Sequence, residues 1–434
     1  MELASNVKKE PRYHLSRKQN ISGGFKFSVR FLAVLISFIF VIVVFSLIGK
    51  FSPGATISYM FEGNYGNTQN TDQTLLNIFM LFVLALALAP AFKMKYWNTG
   101  ALGQALIGNA CAGIVIYKLG PYIGSNFLLL FIAFLFAIIG GAIWGIIPGI
   151  FKAKFNSNET LFTLMMNYVA IQIVKIVIEL LKGGAQNLSP SAYGKFNYIG
   201  SFEYGWPLII TILVALFIYI YLGFTKHGYE ITVLGESPNT AKYAGINTTA
   251  VIIRTAAISG ALCAVCGFIY AGATQTVSPE SDGGFGFTSI IVTWSSHFSV
   301  LAMFVISFLI IFLKMGSDGV KNKASQYMNG YASYIAVGIF LFFLIGCEFF
   351  LNFKFVPNSE LARKQEEKRK ELREKHPKFF AWYDATKVSI SNFFIKVTNL
   401  YNKVKSAVVN FFVKCFTAVK NFFLKIFKKK GVQE

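Results

Sequence analysis

Charge is what this sequence has least of. Only 14% of its 434 residues are Asp, Glu, Lys or Arg, against about 25% in soluble domains. Hydrophobic residues make up 54%, and 46 residues are Phe. That balance excludes an ordinary soluble domain and indicates a membrane protein. Acidic residues are the scarcer sign, 20 against 41 Lys and Arg. No G-x-x-x-x-G-K-[ST] occurs, so the chain has no phosphate-cradling loop. Its four histidines, His14, His227, His297 and His376, are scattered, and neither H-E-x-x-H nor G-x-S-x-G is present. No enzymatic reading has residues to stand on, and neither a cofactor nor a metal is expected. No carboxylate cluster lies mid-way along an apolar run, which argues against an ion-coupled carrier. The cysteines are Cys111, Cys263, Cys266, Cys347 and Cys415. Cys263 and Cys266 form a C-x-x-C without a second pair or a nearby His, so they read as small packing residues and no disulfide is expected.

Long apolar runs are what the chain has in abundance. Ten are read, at about 31–49, 75–92, 101–119, 126–150, 160–182, 206–224, 255–273, 286–298, 299–314 and 333–353. The first is long enough to span a bilayer. It follows the basic run Lys8, Lys9, Arg12, Arg17 and Lys18, and no small-residue cleavage motif comes soon after, so an anchor is expected rather than a cleaved leader. The eighth is short and holds Thr293, Ser295, Ser296 and His297, the composition of a broken or re-entrant helix. The expected fold is all-α: a polytopic membrane helical bundle of about ten spans, both termini cytoplasmic, with a basic helical tail. Orientation rests on the basic N-terminus and on Lys93, Lys95, Lys152, Lys154, Lys226 and Lys242 falling on one side. The loop 315–332 resists, since it falls outside yet carries Lys321 and Lys323. Gly141, Gly145 and Gly149, and then Gly260, Ala264 and Gly267, place small residues on single helix faces, the pattern that lets membrane helices approach closely.

Three regions follow: a basic N-terminus over 1–30, a transmembrane domain over 31–353 and a basic tail over 354–434. The tail holds 19 Lys and Arg against 7 Asp and Glu. In it a phrase recurs, Asn-Phe-Phe-x-Lys, with Phe393 and Phe394, Phe411 and Phe412, and Phe422 and Phe423. Offsets of 18 and 11 residues, at about 100° per residue, put all six Phe on one helix side. A Phe-rich side beside a Lys-rich side describes a helix lying on an anionic membrane surface; a self-packed helical bundle is the alternative, and no nucleic-acid role is expected.

Polar residues inside the apolar runs are few. Asn98, Gln104, Asn109, Asn167, Tyr168 and Gln172 can re-solvate a neutral, many-hydroxyl cargo, since amides both donate and accept. They can equally fasten helices to one another. Lys175 and Glu179 are one helical turn apart near a span end, Glu348 closes the last run, and Arg254 lies where its head can snorkel.

Three stretches carry a family resemblance. Gly235–Asn247, GESPNTAKYAGIN, resembles the loop by which permease subunits of ATP-driven importers grip their ATPase. Gly235, Pro238, Ala241, Tyr243, Ala244, Gly245 and Ile246 fit that pattern, with Glu236 and Asn239 between them. Ser237 and Thr240 depart from it, and Thr232 stands where an Arg is expected. Ala142–Ala170 resembles a segment of nucleoside and simple-sugar importer permeases through Trp144, Gly145, Pro148, Gly149, Lys152, Phe155, Asn158, Glu159, Thr163, Met165, Asn167 and Tyr168. Asn98–Gln104, NTGALGQ, is similar to a third family stretch, with Leu102 in place of an acidic residue. The resemblance covers about 75–345 and lies with the nucleoside and simple-sugar branch of ABC importer permeases, in the branched-chain amino acid permease superfamily. It implies a cell-membrane transport subunit that hydrolyses nothing itself. It also implies an ATPase subunit, a second homologous permease and an extracytoplasmic substrate-binding lipoprotein as partners, with a nucleoside as cargo. A simple sugar or a branched-chain amino acid is the alternative cargo, and a membrane-anchored scaffold with a recruiting tail the alternative of another class.

Overall fold

A computed structural model describes residues 13–18, 23–182, 187–188, 193–198, 203–281 and 283–357, with isolated positions between 372 and 406. All six Phe of the tail's N-F-F-x-K phrases lie outside the described residues. In chain order the elements are β1 (Tyr13–Arg17), α1 (Gly23–Gly49), α2 (Pro53–Tyr65), α3 (Thr68–Lys93), α4 (Ala101–Leu119), α5 (Asn126–Phe155), α6 (Glu159–Lys182) and α7 (Gly205–Phe224). There follow α8 (Lys226–Glu236), α9 (Pro238–Tyr243), α10 (Thr248–Thr274), α11 (Phe285–Ser295), α12 (Val300–Lys323), α13 (Ala332–Asn352) and β2 (Phe353–Pro357).

The fold is a polytopic helical membrane bundle. Nine helices among the described residues are long and apolar enough to cross a membrane. The remaining apolar run, the eighth, is α11, whose 11 residues rise only about 16 Å at 1.5 Å each, half a hydrocarbon core. The short, polar eighth run is therefore a partial helix. Several boundaries differ from the sequence reading, α1 and α10 also starting earlier than their apolar runs, and three differences have a local cause. Between the first two apolar runs lies a further helix, α2, started by Ser52, whose hydroxyl accepts from the Ala55 N–H, and by Pro53 in the first turn. α3 begins seven residues earlier than its apolar run, capped by Asn67. α12 runs on past Lys314, because that ammonium is not left in lipid: it donates to the Gly283 carbonyl at 2.7 Å and sits 4.3 Å from the Phe285 ring centre. The lysines that resisted the orientation rule lie at the end of α12, where Lys323 pairs with Glu62 at 2.8 Å and Lys321 approaches Asp318 at 3.7 Å.

The chain divides into two compact units, one built from Ile42–Gly338 and one from Met1–Val41 with Ile339–Glu434. In the larger unit α3 is buried all round, with every residue from Ile78 to Phe92 enclosed, as expected of a helix apolar on every face. Beside it α10 packs on α5 and α4 through small residues. A Cβ at Gly145 would meet the Ala256 carbonyl oxygen at 2.5 Å, and one at Gly108 would meet Ala264 Cα at 2.5 Å. Gly141, Gly145 and Gly149 thus face Ala256, Gly260 and Ala264 across the α5–α10 seam, whereas Gly267 packs on Ala105 and Asn109 of α4. In the smaller unit β1 and β2 form an antiparallel ribbon, Tyr13 opposite Pro357 and Arg17 opposite Phe353. That ribbon and a single antiparallel bridge between Leu188 and Val277 depart from an all-helical reading. Arg30 donates to Glu348 at 2.6 Å, so the carboxylate read as closing the last span is paired across α1 and α13.

Candidate functional site

The stretch expected to grip an ATPase folds as a small helical hairpin. Thr225 caps α8, its hydroxyl accepting from the Gly228 N–H, and Ser237 caps α9, accepting from the Thr240 N–H at 3.3 Å. Pro238 occupies the first position of α9, where its missing N–H costs nothing. α9 stops at Gly245, φ +73°. The Gly245 N–H donates to the Lys242 carbonyl and the Ile246 N–H to the Ala241 carbonyl, both at 3.0 Å, the paired bonds of a Schellman stop. Asn247 then caps α10, accepting from the Ala250 N–H at 3.1 Å. Gly235 and Ala241 are buried and Ile246 partly so, whereas Glu236, Pro238, Asn239, Tyr243, Ala244 and Gly245 are exposed. Tyr243, an aromatic, is 93% exposed.

Two contacts tie this hairpin to the bundle. A Cβ on Gly235 would collide with the backbone carbonyl of Lys93, so α8 lies directly on the end of α3. Arg254 of α10 donates to Glu230 of α8 at 2.8 Å, with His227 Nδ1 3.3 Å from the same carboxylate oxygen. No local spacing in the sequence signals this pair, whose residues are 24 apart. The hydrogen bond from Arg254 holds the Glu230 carboxyl below its ordinary value of 4.5. A group depressed in the folded state stabilises above its unfolded pKa and stops doing so as pH falls through the folded one. The α8–α10 contact is therefore complete at neutral pH and is lost only in acid, below the ordinary glutamate range. Acidification below about pH 4 is expected to lower the melting temperature of the wild type more than that of Glu230→Gln. Parallel curves for the two would refute the assignment.

The six polar residues proposed for a pathway fall into two groups. Asn98, Gln104, Asn109 and Asn167 are buried. Asn98 donates to Gln104 Oε1 and to Ser259 Oγ, both at 3.0 Å, and its Oδ1 accepts from the Gly100 N–H at 3.0 Å. Asn167 accepts from the Gly103 N–H at 2.8 Å and donates to the Thr99 carbonyl at 2.9 Å. Thr163 accepts from the Thr99 N–H at 3.1 Å. These bonds satisfy the backbone between α3 and α4, which is not helical and has no ladder of its own. Asn109 donates to the Gly267 and Thr276 carbonyls at 3.3 and 3.1 Å. Its buried Oδ1 accepts nothing. Tyr168 and Gln172 instead stand on the exposed side of α6, with Lys175 and Glu179 also exposed there. Replacing Asn167 by Leu strands the Gly103 N–H and the Thr99 carbonyl, at about 1–3 kcal/mol for each unsatisfied group. The yield of folded protein is expected to fall, and a folded variant with altered uptake alone would contradict this.

One further group at the same end was not singled out from the sequence. Trp97 and Trp294 lie with ring centres 5.0 Å apart and planes inclined by 39°. Phe92 flanks the first at 5.4 Å and Phe298 the second at 6.2 Å. Lys152 and Glu159 pair at 2.9 Å, and the Glu159 carboxylate also lies 3.5 Å from the backbone N–H of Trp97.

The geometry defines a polytopic helical membrane protein that displays an exposed helical hairpin fixed to two of its buried helices. Residues 70–345 match the model of the permease component of branched-chain amino acid transport systems. The match covers well over half of the chain, and the chain belongs to that family. It is a multi-pass membrane permease component, one part of a transport system whose other functions reside on other chains. Among curated proteins it is similar to the guanosine ABC transporter permease of Bacillus subtilis strain 168, 25% identical over 281 residues, 62% of this chain and 80% of the relative. It is similar to the nucleoside ABC transporter permease of Lactococcus lactis subsp. cremoris, 25% identical over 313 residues, 68% of this chain and 85% of the relative. The probable riboflavin import permease of Treponema pallidum is 23% identical over 287 residues, 64% of this chain and 75% of the relative. No solved structure matches the chain.

Proposed function

We propose that this chain is the membrane-spanning permease of an ATP-driven importer in the cell membrane and that its cargo is a nucleoside. The observation that carries the reading is the exposed α8–α9 hairpin anchored on α3 and α10. Support for the cargo comes from the guanosine and nucleoside permeases among its relatives. An ATPase subunit docks on the exposed side of the hairpin, at Glu236, Pro238, Asn239, Tyr243, Ala244 and Gly245. Closure of that ATPase displaces α8. The displacement reaches α3 through the Gly235–Lys93 contact and α10 through Glu230–Arg254. α10 is packed on α5 and α4, so the bundle reorients as a body. A second, related permease completes the pathway, and an extracytoplasmic binding lipoprotein delivers cargo to it. Tyr168 and Gln172, exposed on α6, are the pathway candidates free to meet cargo without breaking a buried network.

Uptake of labelled guanosine, ribose and leucine by cells with and without this chain tests the cargo. Loss of guanosine uptake alone is expected. Undiminished guanosine uptake with loss of ribose or leucine uptake would move the assignment to a sugar or an amino acid. The tail is proposed to lie on the inner membrane surface, its Phe side in the interface and its lysines on anionic lipid. A 379–434 peptide that gains no helicity on anionic vesicles would refute that placement.

A further inference from the structure

The turn between α11 and α12 ends inside the span of α3. Thr293 donates to the Ala85 carbonyl at 2.9 Å, and Ala85 lies eight residues, about 12 Å along the helix, before the end of α3 at Lys93. On the far side of the turn, Phe304 packs on Phe82, ring centres 5.4 Å apart. The turn itself is irregular, with His297 at φ +51° and Phe298 at φ +62°. Backbone of this kind at membrane depth is not tolerated against lipid; it lies against protein or lines a wet cavity. Trp294 closes α11 at this turn and is 50% exposed, and Trp97, on the equally irregular segment before α4, is 39% exposed. Both indoles thus stand open over irregular backbone at one end of the bundle, near Lys95, and are not enclosed by core packing. Their inclined planes form a shallow aromatic corner. On the same segment as Trp97, the Thr99 hydroxyl donates to the Thr160 carbonyl at 2.9 Å, and the Glu159 carboxylate lies 3.5 Å from the Trp97 backbone N–H.

We infer that Trp97 and Trp294 form a stacking surface for a planar aromatic heterocycle of the cargo, inside a wet pathway bounded by α4 and α11. The inference rests on the nucleoside reading and deepens it, placing the base on the indoles. Every base offers a π-face, so a stacking surface of this kind takes purines and pyrimidines alike and takes a free sugar poorly. Removing one aromatic partner from a stacked base weakens binding by roughly five- to 150-fold.

The test uses the assembled importer. Trp97→Leu and Trp294→Leu are expected to slow guanosine uptake at least fivefold at unchanged permease level, whereas Trp97→Phe and Trp294→Phe keep most of it. Both Leu variants transporting guanosine at the wild-type rate would overturn the stacking surface and leave the cargo reading standing. A wild type that imports ribose and not guanosine would overturn the cargo reading and this inference with it. A second measurement does not depend on the Leu variants folding. In a permease carrying Trp144→Phe, Trp206→Phe and Trp382→Phe, the two remaining indoles are expected to be quenched by acrylamide and, saturably, by guanosine. Quenching by brominated lipid chains instead would place the indoles against lipid and refute the inference. Protection from both acrylamide and guanosine would show that a protein partner covers the corner, and would refute it as well.

Discussion

Gly245→Trp is expected to abolish uptake while the permease remains inserted and folded. The hairpin gives the reason. Nothing lies within 4 Å of a Cβ placed on Gly245, so within the permease there is room for the indole. What the substitution costs the permease itself is the left-handed backbone at φ +73°, roughly 1–2 kcal/mol for a residue with a Cβ. What it costs the assembly is larger, because a bulky ring then stands on the exposed rim beside Tyr243 and Ala244, where the ATPase is proposed to seat. Gly245→Asn separates the two effects, since Asn tolerates the left-handed region and stays small. It should retain most of the uptake. The measurements are uptake and co-purification of the ATPase subunit with each variant. Normal uptake by Gly245→Trp would show that the hairpin is not the docking surface.

The stretch 235–247 stood out in the sequence by family resemblance and as a polar loop, not as a helical hairpin. Its local signals, Ser237 as a cap, Pro238 in a first turn, Gly245 as a helix stop and Asn247 as the next cap, are the ones from which the hairpin could have been read. The spans were legible, since a run of some twenty apolar residues has few other meanings. The small-residue stripes of α5 and α10 announced a close crossing. The features that escaped are those that polar residues or distance conceal. α2 was missed because Thr56, Glu62 and Asn64 interrupt any apolar run; Thr56 and Asn64 are nonetheless buried, with Asn64 donating to the Phe312 carbonyl at 3.0 Å. The apolar run that ends at Lys314 hid the rest of α12, since a charge is ordinarily a stop signal and only its pairing with the Gly283 carbonyl shows otherwise. Glu230 with Arg254 and Trp97 with Trp294 are pairs created by the fold, with no periodicity to betray them. The four buried amides were identifiable as unusual but not assignable, because an amide that binds cargo and an amide that fastens helices look alike until its partners are known.

Gly260→Leu is expected to cause the largest loss of folded protein of any single change considered. Inside a bilayer, lipid chains are as apolar as leucine, so helices gain little from hiding apolar surface against one another and depend on close packing. The α5–α10 seam supplies that packing. A Cβ on Gly260 would collide with the Gly141 carbonyl oxygen and lie 3.0 Å from Gly145 Cα. Both obstacles are backbone, so no rotamer change relieves them and the two helices must separate. Overpacking a tight interior costs about 1–3 kcal/mol, and more where backbone has to move. Separation at this point also loosens what α10 supports elsewhere, the Asn98–Ser259 hydrogen bond and the Arg254 contact to α8. Gly260→Ala should already be harmful, because the first added carbon is the one that collides. Gly223→Leu is the control: it lies in α7 with nothing within 4 Å of its Cβ, and a leucine there meets open space. The readout is the monodisperse yield in detergent and the midpoint of thermal unfolding, expected to drop sharply for Gly260→Leu and to stay near wild type for Gly223→Leu. If the two variants behaved alike, the close crossing of α5 and α10 would not be what holds this bundle together.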